Sequence, residues 1–155
     1  MDEAIKIAVD ILIKPFEGYA RRLPSGDCMA YPDPGTGGEP WTIGYGSTGS
    51  DVCPGIVWTE NKATERLQEH CLYFCAGLVK LSPKIVLEPP RRIAAVLSWV
   101  YNCGLGNYRI STFKKRIDAG DWSGAAEQCL KWNKAAGRVM PGLTRRRQAE
   151  ALLMR

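Results

Sequence analysis

The chain has 155 residues, 45% of them hydrophobic and 24% charged, with 21 Lys and Arg against 16 Asp and Glu and a formal net charge of +5. That length and apolar content are enough to bury a core without metals or disulfides, which excludes a disordered chain, and no run reaches the roughly 18 apolar residues of a membrane-spanning helix. A modest positive excess steers a protein toward polyanions such as nucleic acid, anionic membrane or bacterial wall without choosing among them.

The N-terminus, Met1-Asp2-Glu3-Ala4, is acidic and lacks the basic region of an export signal, so synthesis in the cytosol is expected. Apolar residues at Ile5, Ala8, Val9 and Leu12 predict a helix over 3–16. Glu17 stands at its end, and Gly18 is a natural left-handed stop. The helical period then disappears. Pro24-Ser25-Gly26-Asp27, Pro32-Asp33-Pro34-Gly35 and Thr36-Gly37-Gly38 carry turn chemistry, and Trp41-Thr42-Ile43-Gly44-Tyr45 is the clearest strand candidate. From Thr59, a plausible N-cap, a helix is predicted to about Lys80. Pro89-Pro90 opens the next, through Asn102, and Ile93, Ala94, Val96, Leu97, Val100 and Tyr101 make it apolar on most sides, the mark of a buried central helix. Shorter helices are predicted over 111–119, 122–132 (capped by Asp121) and 144–154. The Arg145-Arg146-Arg147 run reads as a solvated helix face. The sum is an α+β protein, a single domain over 1–155, in which a small β lobe (about 19–58) is inserted into a mainly helical lobe (about 1–18 and 59–155).

Most catalytic equipment is missing. The single histidine, His70, lies mid-helix between Glu69 and Cys71, and no GxxxxGK[ST] phosphate loop occurs. Six cysteines, at 28, 53, 71, 75, 103 and 129, form no CxxC pair, so no metal is expected, and no cofactor; their even number would permit disulfides in an oxidising compartment, with buried thiols the favoured reading. Carboxylate chemistry remains. Glu17, Asp33 and Thr42 stand out in the irregular first third. A helix C-terminus is the negative end of the dipole, which favours the protonated carboxyl that a general acid needs, and Phe16 and Tyr19 are placed to desolvate Glu17.

Three ordered blocks carry a resemblance. Phe16-Glu17-Gly18-Tyr19, Ala30-Tyr31-Pro32-Asp33-Pro34 and Trp41-Thr42-Ile43-Gly44-Tyr45-Gly46-Ser47-Thr48 form the first; Ser98 to Gly106, through Trp99-Val100-Tyr101-Asn102, the second; Trp132 to Arg147, through Pro141-Gly142-Leu143-Thr144, the third. Together they resemble the signatures of phage-type lysozymes, glycoside hydrolase family 24, over almost the whole chain. The resemblance implies a lysozyme-like fold and a muramidase that hydrolyses the β-1,4 bond between N-acetylmuramic acid and N-acetylglucosamine of bacterial peptidoglycan. Glu17 would be the general acid, Asp33 the second carboxylate and Thr42 the residue holding the attacking water, in an inverting reaction. Asn102, Asn133 and Arg138 are candidate substrate contacts. By the same resemblance the protein is an endolysin waiting in the host cytoplasm until a holin opens the way to the wall. It is expected to be a monomer, and the lack of a membrane-spanning run and of a basic stripe beyond the short arginine run argues against stable membrane insertion and against nucleic acid as a partner.

The chain departs from the family pattern in three places. The Glu17-to-Asp33 and Asp33-to-Thr42 spacings are both longer than usual, which reads as loop insertion and leaves Asp27 as a rival to Asp33; the Ala-Tyr-x-Asp context favours Asp33. Ser47 stands where the family usually has histidine. Competing readings are a lytic transglycosylase, which needs one acid and leaves an anhydro sugar, and a catalytically silent wall-binding module.

Overall fold

The computed structural model describes residues 1–34 and 36–155; Gly35, the last residue of the predicted Pro32-Asp33-Pro34-Gly35 turn, lies outside them. The chain divides into two compact units, Met1–Phe16 with Cys71–Arg155, and Glu17–His70. Helices and short strands mix as the α+β class requires.

The first unit is helical. It opens with α1 (Asp2–Ile7), continues through a π-helical stretch (Ala8–Ile13) and ends in α2 (Lys14–Glu17), whose last residue belongs to the second unit. The sequence predicts one regular helix here. The widening precedes Pro15, which has no N–H for the ladder and whose ring crowds the preceding turn. α4 (Pro90–Cys103) is the buried helix: every residue from Ile93 to Val100 is inaccessible. Pro90 suits its first turn, and Gly104, at φ 85°, ends it. It packs against α1, the π-helical stretch and α8 (Pro141–Met154). Trp99 anchors the core, with the rings of Phe113, Trp132 and Tyr108 at 4.8, 4.9 and 6.1 Å. Burying a side chain of that kind stabilises by ~3 kcal/mol.

Around this centre lie α5 (Leu105–Ile110), α6 (Thr112–Asp118) and α7 (Trp122–Leu130). Ser111 caps α6 by accepting from Lys114 N–H, and Asp121 caps α7 by accepting from Gly124 N–H. Gly77 lets α5 approach closely: a Cβ there would stand 2.3 Å from Leu105 Cδ1. The sequence reading does not predict α5 itself, the 3₁₀ helix Pro83–Leu87 or an antiparallel hairpin of β3 (Lys134–Ala135) and β4 (Arg138–Val139).

The second unit is irregular. β1 (Cys28–Met29) pairs antiparallel with β2 (Val57–Trp58), Cys28 opposite Trp58. α3 (Glu60–Leu81) starts here, with Thr59 Oγ1 accepting from Lys62 N–H at 3.2 Å, and its second half belongs to the first unit. The predicted strand over 41–45 is not one. Only isolated bridges form there, Thr42 with Tyr31 and Ile43 with Ser47. Gly44 and Gly46 adopt φ of 60° and 85°, which turns the chain back on itself after Ile43. Gly44 also has no room for a side chain, since a Cβ would lie 2.8 Å from Ala63 Cβ. All six cysteines are free thiols; Cys28, Cys71, Cys75 and Cys129 are buried, Cys53 is exposed.

Candidate active site

The three residues singled out for chemistry fall in the second unit. Glu17 closes α2, and Gly18, at φ 74°, breaks the helix directly after it. Asp33 lies two residues beyond Tyr31, the residue that pairs with Thr42: each donates its N–H to the other's carbonyl, 2.9 Å both ways. Asp33 is fixed by its own turn, its Oδ2 accepting from Thr36 N–H at 3.0 Å and its carbonyl from Gly37 N–H at 2.8 Å. Thr42 directs its hydroxyl at the Pro40 carbonyl only loosely, 3.5 Å, and is half-buried.

Tyr31 joins the set. Burial pushes its phenol above the ordinary tyrosine value, the Arg21 guanidinium opposes this, and the charges of Asp33 and Glu17 both reinforce it. The backbone of the same residue holds Thr42. The turn that follows reaches the same place: a Cβ on Gly46 would stand 3.8 Å from Glu17 Oε2. Tyr31 is the residue the sequence reading used as context without giving it a role. Asp27, the rival to Asp33, is instead drawn into a local turn, accepting from Ser25 Oγ at 3.0 Å, while its carbonyl accepts from Leu23 N–H.

One expectation for Glu17 is corrected. The residue is exposed. The Tyr19 ring packs on Tyr45 at 5.1 Å beneath the Arg22 guanidinium, and its hydroxyl donates to the Gly26 carbonyl. Tyr45 in turn donates to Glu60 Oε1 at 3.0 Å. Ser47 is 1% exposed, and its hydroxyl finds no partner among the described residues.

Asn102, Asn133 and Arg138 belong to the first unit. Asn133 ties the β3–β4 hairpin to α8, its Nδ2 donating to Thr144 Oγ1 at 3.2 Å and its carbonyl accepting from Met140 N–H. Arg138 is exposed on β4. Asn102 is exposed, but its Oδ1 accepts from Arg147 Nη2 at 3.0 Å.

That contact belongs to a network that overturns the reading of Arg145-Arg146-Arg147 as a solvated face. Only Arg145 is exposed; Arg146 is 3% exposed and Arg147 fully buried. Glu150, also fully buried, pairs with Arg147 Nε at 2.8 Å and Arg146 Nε at 3.3 Å, and accepts from Ser98 Oγ on α4 at 2.7 Å. Burial pushes the Glu150 carboxyl up from the usual carboxylate range, against the pull of Arg147, Ser98 and Arg146. The network also carries the Arg146 guanidinium to 5.9 Å from the centre of the Phe16 ring, next in sequence to Glu17. The signal for it was the glutamate one helical turn beyond the two arginines.

Comparison with known proteins identifies the family. The phage lysozyme family model matches residues 16–150. The endolysin of Bacillus phage B103 is 39% identical over 142 residues, 92% of this chain and 50% of that protein, so the chain spans half of that relative's length. The endolysin of Acyrthosiphon pisum secondary endosymbiont phage 1 is 35% identical over 147 residues, 92% of each chain. Among solved structures, the muramidase domain of SpmX from Asticaccaulis excentricus superimposes with a TM-score of 0.77 at 26% identity, over 96% of this chain and 95% of that one. The fold is lysozyme-like, and the chain belongs to the phage lysozyme family.

Proposed function

We propose that this chain is an endolysin muramidase, hydrolysing the β-1,4 bond between N-acetylmuramic acid and N-acetylglucosamine of bacterial peptidoglycan to lyse a host cell. The observation that carries the reading is that Glu17, Asp33 and Thr42 fall in one compact unit of a chain of the phage lysozyme family, with Thr42 bonded through its backbone to Tyr31, two residues before Asp33. Glu17, exposed at the end of its helix, donates a proton to the leaving sugar oxygen. Asp33, oriented by Thr36 N–H, takes the proton of a water that the Thr42 hydroxyl positions. Water then attacks the anomeric carbon as the C–O bond breaks, leaving a hydrated reducing end. Asn102, Asn133 and Arg138 are further contacts to the glycan or its peptides.

No helix among the described residues is long and apolar enough to cross a membrane. The protein acts as a monomer on peptidoglycan, not on nucleic acid, and reaches the wall from the host cytoplasm once a holin has opened the membrane. The test compares wild type with Glu17→Gln in clearing outer-membrane-permeabilised Gram-negative cells, with mass spectrometry of the released fragments. Hydrated reducing ends from wild type and none from the variant are expected. Anhydro sugars would make it a transglycosylase, and equal clearing by both proteins would remove Glu17 as the acid.

A further inference from the structure

The second unit also holds a pocket of about 340 Å³, lined among others by Glu39, Trp41, Thr48, Ser50 and Cys53. That is the lower end of the size range of small-ligand sites. Its walls are built rather than loose. On one side Thr36 Oγ1 donates to the Glu39 carbonyl at 2.7 Å, and the Thr42–Tyr31 pairing holds the segment that follows. On the other, Val52 is buried and its N–H donates to the Gly49 carbonyl, while Asp51 between them is ion-paired to Arg66 of α3. The two walls flank the turn closed by the Ile43–Ser47 bridge.

Its charge is one-sided. Glu39 is the sole charged residue of the lining, and among the described residues no cation forms an ion pair with it. In the same unit Asp51 and Glu60 are matched, to Arg66 and Arg22. A solvent-exposed carboxylate without an ion-pair partner, with an indole and two hydroxyls in the same lining, suits an ammonium ion: the carboxylate supplies charge and the indole its negative face. A ligand carboxylate would meet repulsion and no cation.

Peptidoglycan presents both groups, since the peptides branching from its glycan strands carry carboxylates and, at their diamino residue, a primary amine. Resting on the function proposed above, we infer that this pocket receives the primary ammonium group of the peptide stem, with Glu39 as its counter-charge and Trp41 as its apolar and π-face. It selects amine-bearing wall and acts on binding of the strand, not on breaking of the bond.

The test uses sacculi in their native form and with their amines acetylated. Acetylation is expected to raise KM for wild type about fivefold with kcat held, the scale of a partly exposed charge contact with an aromatic neighbour. Glu39→Gln is expected to show the raised KM on native sacculi, and its preference between the two substrates to fall to about 1. General attraction predicts the opposite sign, because acetylation makes the wall more anionic and the chain carries +5. Equal KM of wild type on both substrates, or a preference retained by Glu39→Gln, overturns the inference. A second measurement needs no catalysis: alkylation of the exposed Cys53, located by peptide mass, is expected to slow with L-Ala-γ-D-Glu-meso-diaminopimelate and not with its N-acetylated form. Equal rates again overturn it. If Cys53 is protected while native sacculi yield no reducing ends, the pocket stands and the muramidase reading is the one that fails.

Discussion

Tyr31 and Thr42 exchange both backbone hydrogen bonds, 2.9 Å each way, across a bridge that no longer strand continues. Thr42 therefore takes its position from main-chain pairing, and its hydroxyl, only weakly engaged with Pro40, is available for work. Thr42→Val keeps the branched shape and the pairing and removes only the hydroxyl. We expect kcat to fall about 100-fold, the scale of losing one positioned polar group at the reacting water, with the thermal midpoint close to wild type. Release of reducing ends and a melting curve on the same sample check both halves. A variant as active as wild type would remove Thr42 from the chemistry.

Asp33 and Asp27 make a matched pair for the identity of the second carboxylate. Asp33 shares the surroundings of Tyr31 with Glu17, whereas Asp27 is committed to Ser25 in its own turn. Asp33→Asn is expected to lower kcat by about 100-fold or more, and Asp27→Asn by no more than about threefold. The reverse order would transfer the role to Asp27.

The Arg146–Glu150–Arg147 cluster makes a stability prediction independent of catalysis. Glu150→Ala leaves two buried guanidiniums without their carboxylate, which costs about 3–5 kcal/mol. A urea titration reads this as a lower midpoint with little change in slope. A midpoint near that of wild type would mean that the arginines find other acceptors once the carboxylate is gone.

What could be read from the chain follows from how local each signal is. The end of α2 at Glu17 and Gly18 is written in two adjacent residues, because only glycine takes φ 74° cheaply. α4 is legible because burial on every side leaves an unbroken apolar run. The segment 41–45 misleads because its residue types are those of a strand, while its geometry is set by two glycines with positive φ and by Ala63, a contact from α3 that no local pattern announces. The arginine run misleads for the same reason: three adjacent cations look solvated until Ser98, on another helix, and Glu150 are seen to complete them. The candidate site is intermediate. Glu17, Asp33 and Thr42 are visible as residues in ordered motifs, but the irregular spacing between them leaves their grouping around Tyr31 to the folded chain.

Asp121 links stability to pH. Its carboxylate accepts from Gly124 N–H at the start of α7 and pairs with Arg116, and these hold its pKa below the ordinary aspartate value, the backbone bond being the larger cause. A depressed folded-state pKa means that the unfolded chain binds the proton more readily, so the contribution is present above the ordinary aspartate range and is lost as pH falls through the lowered value. Asp121→Asn keeps an acceptor at the cap but cannot titrate. We expect the thermal midpoint of wild type to fall more steeply than that of Asp121→Asn on acidification from about pH 5. Parallel curves would show that the cap does not contribute to acid sensitivity.

Ser47 offers a substitution expected to stabilise. The side chain is 1% exposed, and its hydroxyl has no acceptor or donor among the described residues. A buried hydroxyl without a partner costs about 1–3 kcal/mol in desolvation, whereas its loss leaves a methyl group of nearly the same shape. The backbone role is unaffected, since Ser47 and Ile43 pair through main-chain N–H and carbonyl groups at 2.9 Å. Ser47→Ala should therefore raise stability by about 1 kcal/mol in urea and leave kcat within about twofold. A loss of stability in Ser47→Ala would mean that the hydroxyl is satisfied by an ordered water, and that the position is a hydrated support of the turn beside Glu17 instead of a dry one.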